Sequence, residues 1–240
     1  MLHNSAFRVS LLTGIAMLGL CSVASGFSVN KSITVGANTE TDGQSTVNGS
    51  ISVGQGATIN GSLETVNGQI TVDDQARARD VETVNGSIKL GAQVTVDDLE
   101  TVNGSIRVGD SCVITGSITA VNGKIFSGTG TRIEGNVSNV NGEIEIDGTV
   151  IEGNLETVNG DIQLIGDSVL QGDLTVEKPG GWNWTKSRKP RVVIGPGARV
   201  EGEIHLDREV ELYISDSAIV GGVSGKMTMD NAVRFGGARP

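Results

Sequence analysis

The tripeptide Val-Asn-Gly recurs through the middle of the chain at an almost constant interval. Its seven copies are spaced by 19, 18, 18, 19, 19 and 18 residues, and they begin at Val47, Val66, Val84, Val102, Val121, Val140 and Val158. Self-similarity of this period is typical of solenoid proteins, in which each repeat packs only against its neighbours. The spacing therefore restricts the chain to architectures that stack one repeat on the next.

Apolar residues keep a fixed order within each repeat. In one unit they are Ile88, Leu90, Val94, Val96, Leu99 and Val102. Their two-residue alternation is typical of short strands with one buried face. We therefore predict an all-β fold, a single-stranded triangular β-helix of about ten rungs with 18–19 residues per rung and these six positions in its core.

The Asn-Gly pairs are expected to form corners, because both residue types tolerate the positive φ that a sharp bend needs. β-Hairpins joined by Asn-Gly turns are the alternative, which would need shorter and less regular units. The predicted corner asparagines are Asn48, Asn67, Asn85, Asn103, Asn122, Asn141 and Asn159.

The composition agrees with a stacked aliphatic core and limits the partners. Aromatic residues make up only 3% of the chain, so its interior must be built from smaller side chains. The 28 acidic residues against 18 basic ones give a net charge of −10, which argues against nucleic acid as a partner.

The chain divides into five segments. Arg8 precedes an apolar run at residues 11–20 that is too short to span a bilayer, so residues 1–26 are predicted to be a signal peptide. Cys21 is an alternative site of lipid attachment. Residues 27–177 and 192–225 are assigned to rungs, residues 178–191 to an inserted loop rich in tryptophan and bases, and residues 226–240 to a tail or cap.

Export follows from that assignment. The product is expected in the periplasm, at the cell surface or outside the cell, with no transmembrane segment after signal removal.

Two stretches resemble a known family. Residues 194–204 (Ile-Gly-Pro-Gly-Ala-Arg-Val-Glu-Gly-Glu-Ile) and residues 133–137 (Ile-Glu-Gly-Asn-Val) are similar to the bactofilins, or polymer-forming cytoskeletal proteins. The resemblance extends in rhythm over most of residues 30–225 and implies a right-handed triangular β-helix that polymerises end to end without nucleotide. Bactofilins work in the cytoplasm, whereas this chain has an export signal. The Thr-Val-Asn-Gly-Ser-Ile units also resemble bacterial putative-adhesin repeat domains, which are exported.

Residues typical of catalysis are scarce, and we predict that the protein is not an enzyme and needs no cofactor. His205 is the only histidine after the signal peptide, and it is expected to face outward between the core residues Ile204 and Leu206. No Cys/His metal spacing or phosphate-binding glycine loop is present in the sequence. Cys112 takes the place of Val94 one rung later, which favours a buried apolar role.

A column of glutamates is the first candidate binding feature. Glu64, Glu82 and Glu100 each precede Thr-Val-Asn-Gly, so stacking places them on consecutive rungs, where like charges repel. A divalent cation or a basic partner could relieve the repulsion. The alternative is that the three side chains splay into water.

The inserted loop is the second candidate. It holds both tryptophans of the chain, Trp182 and Trp184, beside the bases Lys186, Arg188 and Lys189. Exposed aromatic rings near bases could stack on a sugar, reach a membrane interface or seat an acidic partner. Alternatively, the indoles fold back and cover a rung.

Two functions fit these features. The first is a non-enzymatic, exported structural or scaffold protein of the bacterial envelope that self-associates end to end through the open strand edges of its terminal rungs. The alternative is a surface or periplasmic adhesin-like module that binds an envelope polysaccharide or protein through the Trp182/Trp184 loop.

Overall fold

A computed structural model describes residues 26–180 and 188–240 of the chain. It shows an all-β parallel solenoid of about eleven turns, which confirms the predicted fold class and is one turn longer than expected. Each turn passes through three faces in the same order. We call them the first, second and third face, and we number the strands along the chain.

Strands of three to five residues make up most of the first face, and its last two strands are longer. Its strands are β1 (Gly26–Ser28), β4 (Gln44–Asn48), β7 (Leu63–Asn67), β9 (Val81–Asn85), β12 (Leu99–Asn103), β15 (Ile118–Asn122), β18 (Val137–Asn141), β21 (Leu155–Thr157), β24 (Leu174–Val176), β26 (Arg199–Leu206) and β28 (Ile219–Gly225).

The second face has one strand from every turn and forms an eleven-stranded sheet. Its strands are β2 (Ile33–Val35), β5 (Ile51–Val53), β8 (Ile70–Val72), β10 (Ile88–Leu90), β13 (Ile106–Val108), β16 (Ile125–Ser127), β19 (Glu143–Asp147), β22 (Asp161–Ile165), β25 (Arg191–Ile194), β27 (Glu211–Ser215) and β29 (Val233–Phe235).

The third face is built from two-residue strands. They are β3 (Glu40–Thr41), β6 (Thr58–Ile59), β11 (Thr95–Val96), β14 (Val113–Ile114), β17 (Arg132–Ile133), β20 (Val150–Ile151) and β23 (Val169–Leu170). Strands β26 and β28 are long enough to run from the third face into the first, so β26 joins the first face to the last five strands of the third face in one sixteen-stranded sheet, and β3 and β6 form a separate two-stranded sheet.

Neighbouring turns pair in parallel with their repeats in register. Leu63 lies beside Val81, and Val81 lies beside Leu99. The predicted core residues Ile88, Leu90, Val94, Val96 and Leu99 are all buried, with no more than 1% of their surface exposed. The turns therefore share one continuous aliphatic interior.

The sixth predicted core residue, Val102, was assigned to the wrong side of the strand. Side chains alternate in β12, so the buried Leu99 is followed by a buried Thr101, and Val102 faces outward and is only half-buried. A threonine can take this place because its hydroxyl donates to the backbone carbonyl of Gly86, 3.0 Å away, one turn earlier.

The prediction that the Asn-Gly pairs form corners by adopting positive φ was also wrong. Among the described residues, the non-glycine positions with positive φ are Asn38, Gln75, Gln93 and Ser111, and all four lie in the turn between the second and third faces. None of the seven repeat asparagines is among them, and only Gly142 of the glycines that follow has positive φ. Those asparagines instead end or follow the strands of the first face.

The two ends of the solenoid differ. In the first turn, Thr41 and Gln44 stand where the second turn has the buried Ile59 and Leu63. At the other end, the segment expected to be a tail or cap contains a 3₁₀ helix (Met229–Asn231) and strand β29, which pairs with β27. Met227, Met229 and Ala232 pack against the end of the core. In the part of the chain that the structure describes, no helix has the length and apolarity needed to cross a membrane.

Candidate functional site

An amide ladder runs along the corner between the first and second faces. In each turn the asparagine side chain donates its Nδ2 hydrogen to the Oδ1 atom of the asparagine one turn earlier, at 2.8–3.0 Å. The asparagine ladder begins at Asn30, which has no glycine after it, and continues through Asn48, Asn67, Asn85, Asn103, Asn122, Asn141 and Asn159. The seven asparagines predicted as corners therefore form one hydrogen-bonded column.

Arg208 closes the carbonyl end of the asparagine ladder. Its guanidinium donates to the Oδ1 atom of Asn159 at 3.0 Å and to the backbone carbonyl of Val158 at 3.2 Å. Only 7% of Arg208 is exposed, and burial lowers the pKa of its guanidinium. The sequence did not point to this residue, because it is 49 positions away from Asn159 and outside the Val-Asn-Gly repeat.

The glutamate column has the predicted geometry on the outer surface of the first face. Glu64 lies beside Glu82 and Glu82 lies beside Glu100 on successive strands. Asp80 and Asp98 precede β9 and β12 and add to the negative field around these carboxylates. Upstream and downstream, Ser45 and Thr119 occupy the same position, so the acidic part of the column spans three turns.

Burial is the main reason that these carboxylates hold protons more tightly than usual. Desolvation raises the pKa of Glu82 to about 7, and the neighbouring Glu100 and Glu64 raise it further in the same direction. The pKa values of Glu64 and Glu100 are also raised, first by desolvation and then by nearby aspartates. The central glutamate is therefore half-protonated near neutral pH, which reduces the repulsion that stacking creates.

Metal binding by the glutamate column gains no support from this arrangement. Across residues 26–180 and 188–240, no group of three or more His, Cys, Asp or Glu side chains is placed to hold a metal ion.

The inserted loop is described only at its base. Trp182, Trp184 and Lys186 lie outside the described residues. The Arg188 guanidinium contacts both carboxylate oxygens of Asp161, at 2.9 and 2.8 Å, and Lys189 forms an ion pair of 2.7 Å with Glu209. The returning arm of the loop is thus attached to the second face next to β22.

His205 lies on the outer surface of β26, between the buried Ile204 and Leu206, as predicted. Its Nδ1 atom is 3.0 Å from the Ser224 hydroxyl, and its Nε2 atom is 3.1 Å from an Asp207 carboxylate oxygen. Neither partner was predicted from the sequence, although Asp207 directly follows β26, two residues after His205, and Ser224 lies one turn later. The imidazole and the carboxylate are 45% and 42% exposed, so this Ser-His-Asp group lies in water on a strand face.

Exposed large apolar side chains are confined to the two ends of the described structure. Phe27 and Val29 lie in the first turn and are 54% and 51% exposed. Ile219 and Val233 lie in the last strands, β28 and β29, and are 54% and 55% exposed. Such side chains lack a neighbouring turn on one side.

Comparisons of the chain with protein-family models, with curated proteins and with solved structures find no match.

Proposed function

We propose that the protein is a non-enzymatic structural rod of the bacterial envelope, exported by its N-terminal signal, that associates end to end. The constant register of the turns and the filled aliphatic interior favour a role that depends on shape. The N-terminal apolar segment described above supports export.

The terminal turns are the observation that carries the proposal. Strands β1, β2 and β3 each pair with a following turn only, and β28 and β29 each pair with a preceding turn only. Such edges present unpaired backbone groups that favour pairing with another strand. Because all strands are parallel, the last turn of one copy can continue into the first turn of the next without reversing direction.

The exposed apolar side chains fit the same joint. Phe27 begins an outward-facing column of side chains on the first face, and Val233 ends such a column on the second face. Each would therefore gain a neighbour when copies stack end to end. The polar residues Thr41 and Gln44 in the core of the first turn moderate this attraction.

The particle length of the mature chain tests the proposal. Sedimentation and electron microscopy across a concentration series should show particles that lengthen by whole rods. Phe27→Lys and Val233→Lys should each shorten the particles, because each replaces an apolar side chain that would gain a neighbour in the joint. Ser52→Lys adds the same charge at an exposed position on the second face and should leave length unchanged. Monomers at every concentration would refute end-to-end association.

An adhesin-like binding role for the inserted loop is the second candidate. The contacts of Arg188 and Lys189 attach the returning arm of the loop to the rod. The double variant Trp182→Ala/Trp184→Ala should lose binding to cell-wall polysaccharide. Phe126→Ala, which removes an aromatic ring elsewhere on the outer surface, should retain it.

A further inference from the structure

Eight Asn-Gly pairs occur in the chain, and one of them lies at a different place in the fold from the other seven. Seven belong to the asparagine ladder, and the eighth is Asn60-Gly61, at the end of the third face in the second turn. An asparagine followed by glycine is prone to lose its side-chain amide, because the small glycine lets its backbone nitrogen approach the side-chain carbonyl.

We propose that Asn60 is a deamidation site of the folded protein, whereas the asparagine ladder protects its own seven Asn-Gly pairs. The Gly61 backbone nitrogen attacks Cγ of Asn60, forming a new C–N bond. The bond from Cγ to the side-chain nitrogen breaks, and ammonia leaves with the proton of the Gly61 amide. Water then opens the succinimide ring at either carbonyl, which gives aspartate or isoaspartate. The reaction consumes one water and releases one ammonia, and it requires no oxidant or reductant.

The attacking nitrogen is the first difference between Asn60 and four of the seven ladder asparagines. At the corner where Gly61 lies, the amides of Arg79, Asp97, Gly116 and Gly135 each donate to the carbonyl of the preceding turn, at 2.9–3.2 Å. Gly61 makes no such bond within the described structure. In the preceding turn, the backbone carbonyl of Asp42 accepts a hydrogen bond from the side-chain amide of Gln44, at 2.9 Å.

In the asparagine ladder, four of the seven backbone amides that could attack are engaged, whereas those of Gly68, Gly86 and Gly142 make no such bond within the described structure and their asparagines are restrained by the side-chain bonds of the ladder. Gly49 donates to the carbonyl of Asn67, Gly104 to that of Asn122 and Gly123 to that of Asn141, at 3.0–3.2 Å. Gly160 donates to the Thr157 hydroxyl at 2.9 Å. A hydrogen-bonded amide must first be released before its nitrogen can act as a nucleophile.

The side-chain amide under attack is the second difference. Each asparagine from Asn48 to Asn141 donates to one neighbour and accepts from another, so rotating its side chain breaks two hydrogen bonds. Asn60 is exposed, and its amide donates at 2.9 Å to Glu40, on the two-residue terminal strand β3. Terminal elements open locally at low cost, which frees Asn60 more often than a residue within the ladder.

The product would weaken the turn in which it forms. A carboxylate at residue 60 replaces the donor that now faces Glu40 and introduces a like charge at hydrogen-bond distance. Strand β3 pairs only with β6. Deamidation would therefore loosen the end of the rod.

Peptide mapping of aged protein tests the proposal. The full mature chain is kept at mildly alkaline pH, folded or in urea, and acid formation and isoaspartate are quantified at each Asn-Gly pair. In the folded protein, we expect residue 60 to react at least about tenfold faster than Asn67, Asn85 or Asn103, because two hydrogen bonds restrain each of those. In urea the eight pairs should react at similar rates. Equal rates in the folded protein, or the same preference in urea, would overturn the proposal.

Two variants complete the test. Asn60→Ser cannot form the succinimide and should remove the fast component. Asn85→Ala leaves Oδ1 of Asn67 without its donor and Nδ2 of Asn103 without its acceptor, so deamidation should rise at those two residues. Unchanged rates at Asn67 and Asn103 in this variant, with the protein still folded by circular dichroism, would show that the ladder gives no protection.

Discussion

Each residue of the Thr-Val-Asn-Gly motif has a different role in stacking. In the turn that contains Thr101, the threonine is buried and satisfies a carbonyl of the previous turn, while Val102 faces outward. Asn103 joins the asparagine ladder, and Gly104 approaches the previous turn so closely that a side chain has no room. The motif recurs because every turn meets the same neighbour.

Replacing a motif glycine with alanine should be strongly destabilising. A Cβ atom at Gly86 would overlap the backbone carbonyl of Gly68, which cannot move aside as the end of a flexible side chain could. We expect Gly86→Ala to lower the free energy of unfolding by about 3 kcal/mol, at the upper end of overpacking effects. Urea unfolding followed by circular dichroism measures the change.

Gly180→Ala is the matched control for that substitution. Among the described residues, apart from its chain neighbours, none has an atom within 4 Å of a Cβ at Gly180, so the unfolding midpoint of Gly180→Ala should stay close to that of the parent chain. A similar loss of stability in both variants would contradict the close-approach explanation.

Residue polarity alone could not identify which side of the first-face strand is buried. Valine is more often buried than threonine, so the sequence favours Val102 over Thr101 as a core residue. In the stacked structure Thr101 is buried and Val102 faces outward, because the Thr101 hydroxyl donates to the Gly86 carbonyl, which is in reach only after two turns have paired. The same limitation explains the wrong prediction of φ at the asparagines: close approach between turns, not a left-handed bend, selects the glycine that follows.

At the scale of structural elements, asparagines in the middle of the asparagine ladder should contribute more to the free energy of unfolding than the asparagine at its start. Asn103→Ala removes two side-chain hydrogen bonds, whereas Asn30→Ala removes one. We expect losses of about 1–2 kcal/mol and about 0.5–1 kcal/mol, respectively, in the free energy of unfolding. Thermal and urea unfolding of both variants provide the comparison, and equal losses would argue against a cooperative column.

The glutamate column should make the rod less stable as pH rises. The pKa of Glu82 is about 7 in the folded chain against an ordinary 4.5, so between these values the folded state binds a proton that the unfolded state lacks. Stability should therefore fall from pH 4.5 to pH 7 and then level off. Glu82→Gln should remove about 1–2 kcal/mol of this loss, allowing for solvent screening of a half-buried group.

Unfolding free energies at several pH values test this expectation. Glu203→Gln changes an exposed glutamate on β26 and should keep the parent chain's pH profile. A Glu82→Gln profile that is parallel to the parent's would rule out Glu82 as the source of the pH dependence.

The glutamate column could be predicted because its members are 18 residues apart within the regular part of the repeat. The Ser224–His205–Asp207 group could not. The pairing of β26 with β28 shifts register between Val200 and Glu203, so no constant interval relates the last two turns. Arg208 reaches the asparagine ladder across 49 residues, a distance that the repeat does not encode.

On the scale of the whole molecule, the period of the repeat was sufficient to predict a parallel solenoid of roughly the right number of turns. The eleventh strand of the second face, β29, lies in the segment that the sequence predicts to be a tail or cap, since residues 226–240 lack the Val-Asn-Gly pattern. It joins the sheet by pairing with the edge that β27 leaves open. Stacking on an existing turn thus recruits a segment whose own sequence does not signal a rung.

Removal of one complete repeat tests the modularity of the stack. Deleting residues 81–98, which are eighteen residues, joins Asp80 to Leu99 and restores the local sequence found at Asp98-Leu99. We expect the shortened chain to fold with an unchanged circular dichroism spectrum and a maximum dimension shorter by about 4.8 Å in solution scattering. Deleting only residues 81–89 should prevent folding, because it brings different faces together. Failure of the eighteen-residue deletion would show that particular turns, not the repeat, determine the stack.

The constant register has a consequence for how such a chain can change over evolutionary time. In-frame duplication or loss of one unit can occur by recombination between its near-identical copies, and it places equivalent residues beside each other at each new junction. Loss of residues 81–98, for example, would place Leu63 beside Leu99. The reach of the protein along its axis can therefore be adjusted in discrete increments by single genetic events, while its cross-section and its two ends are inherited unaltered.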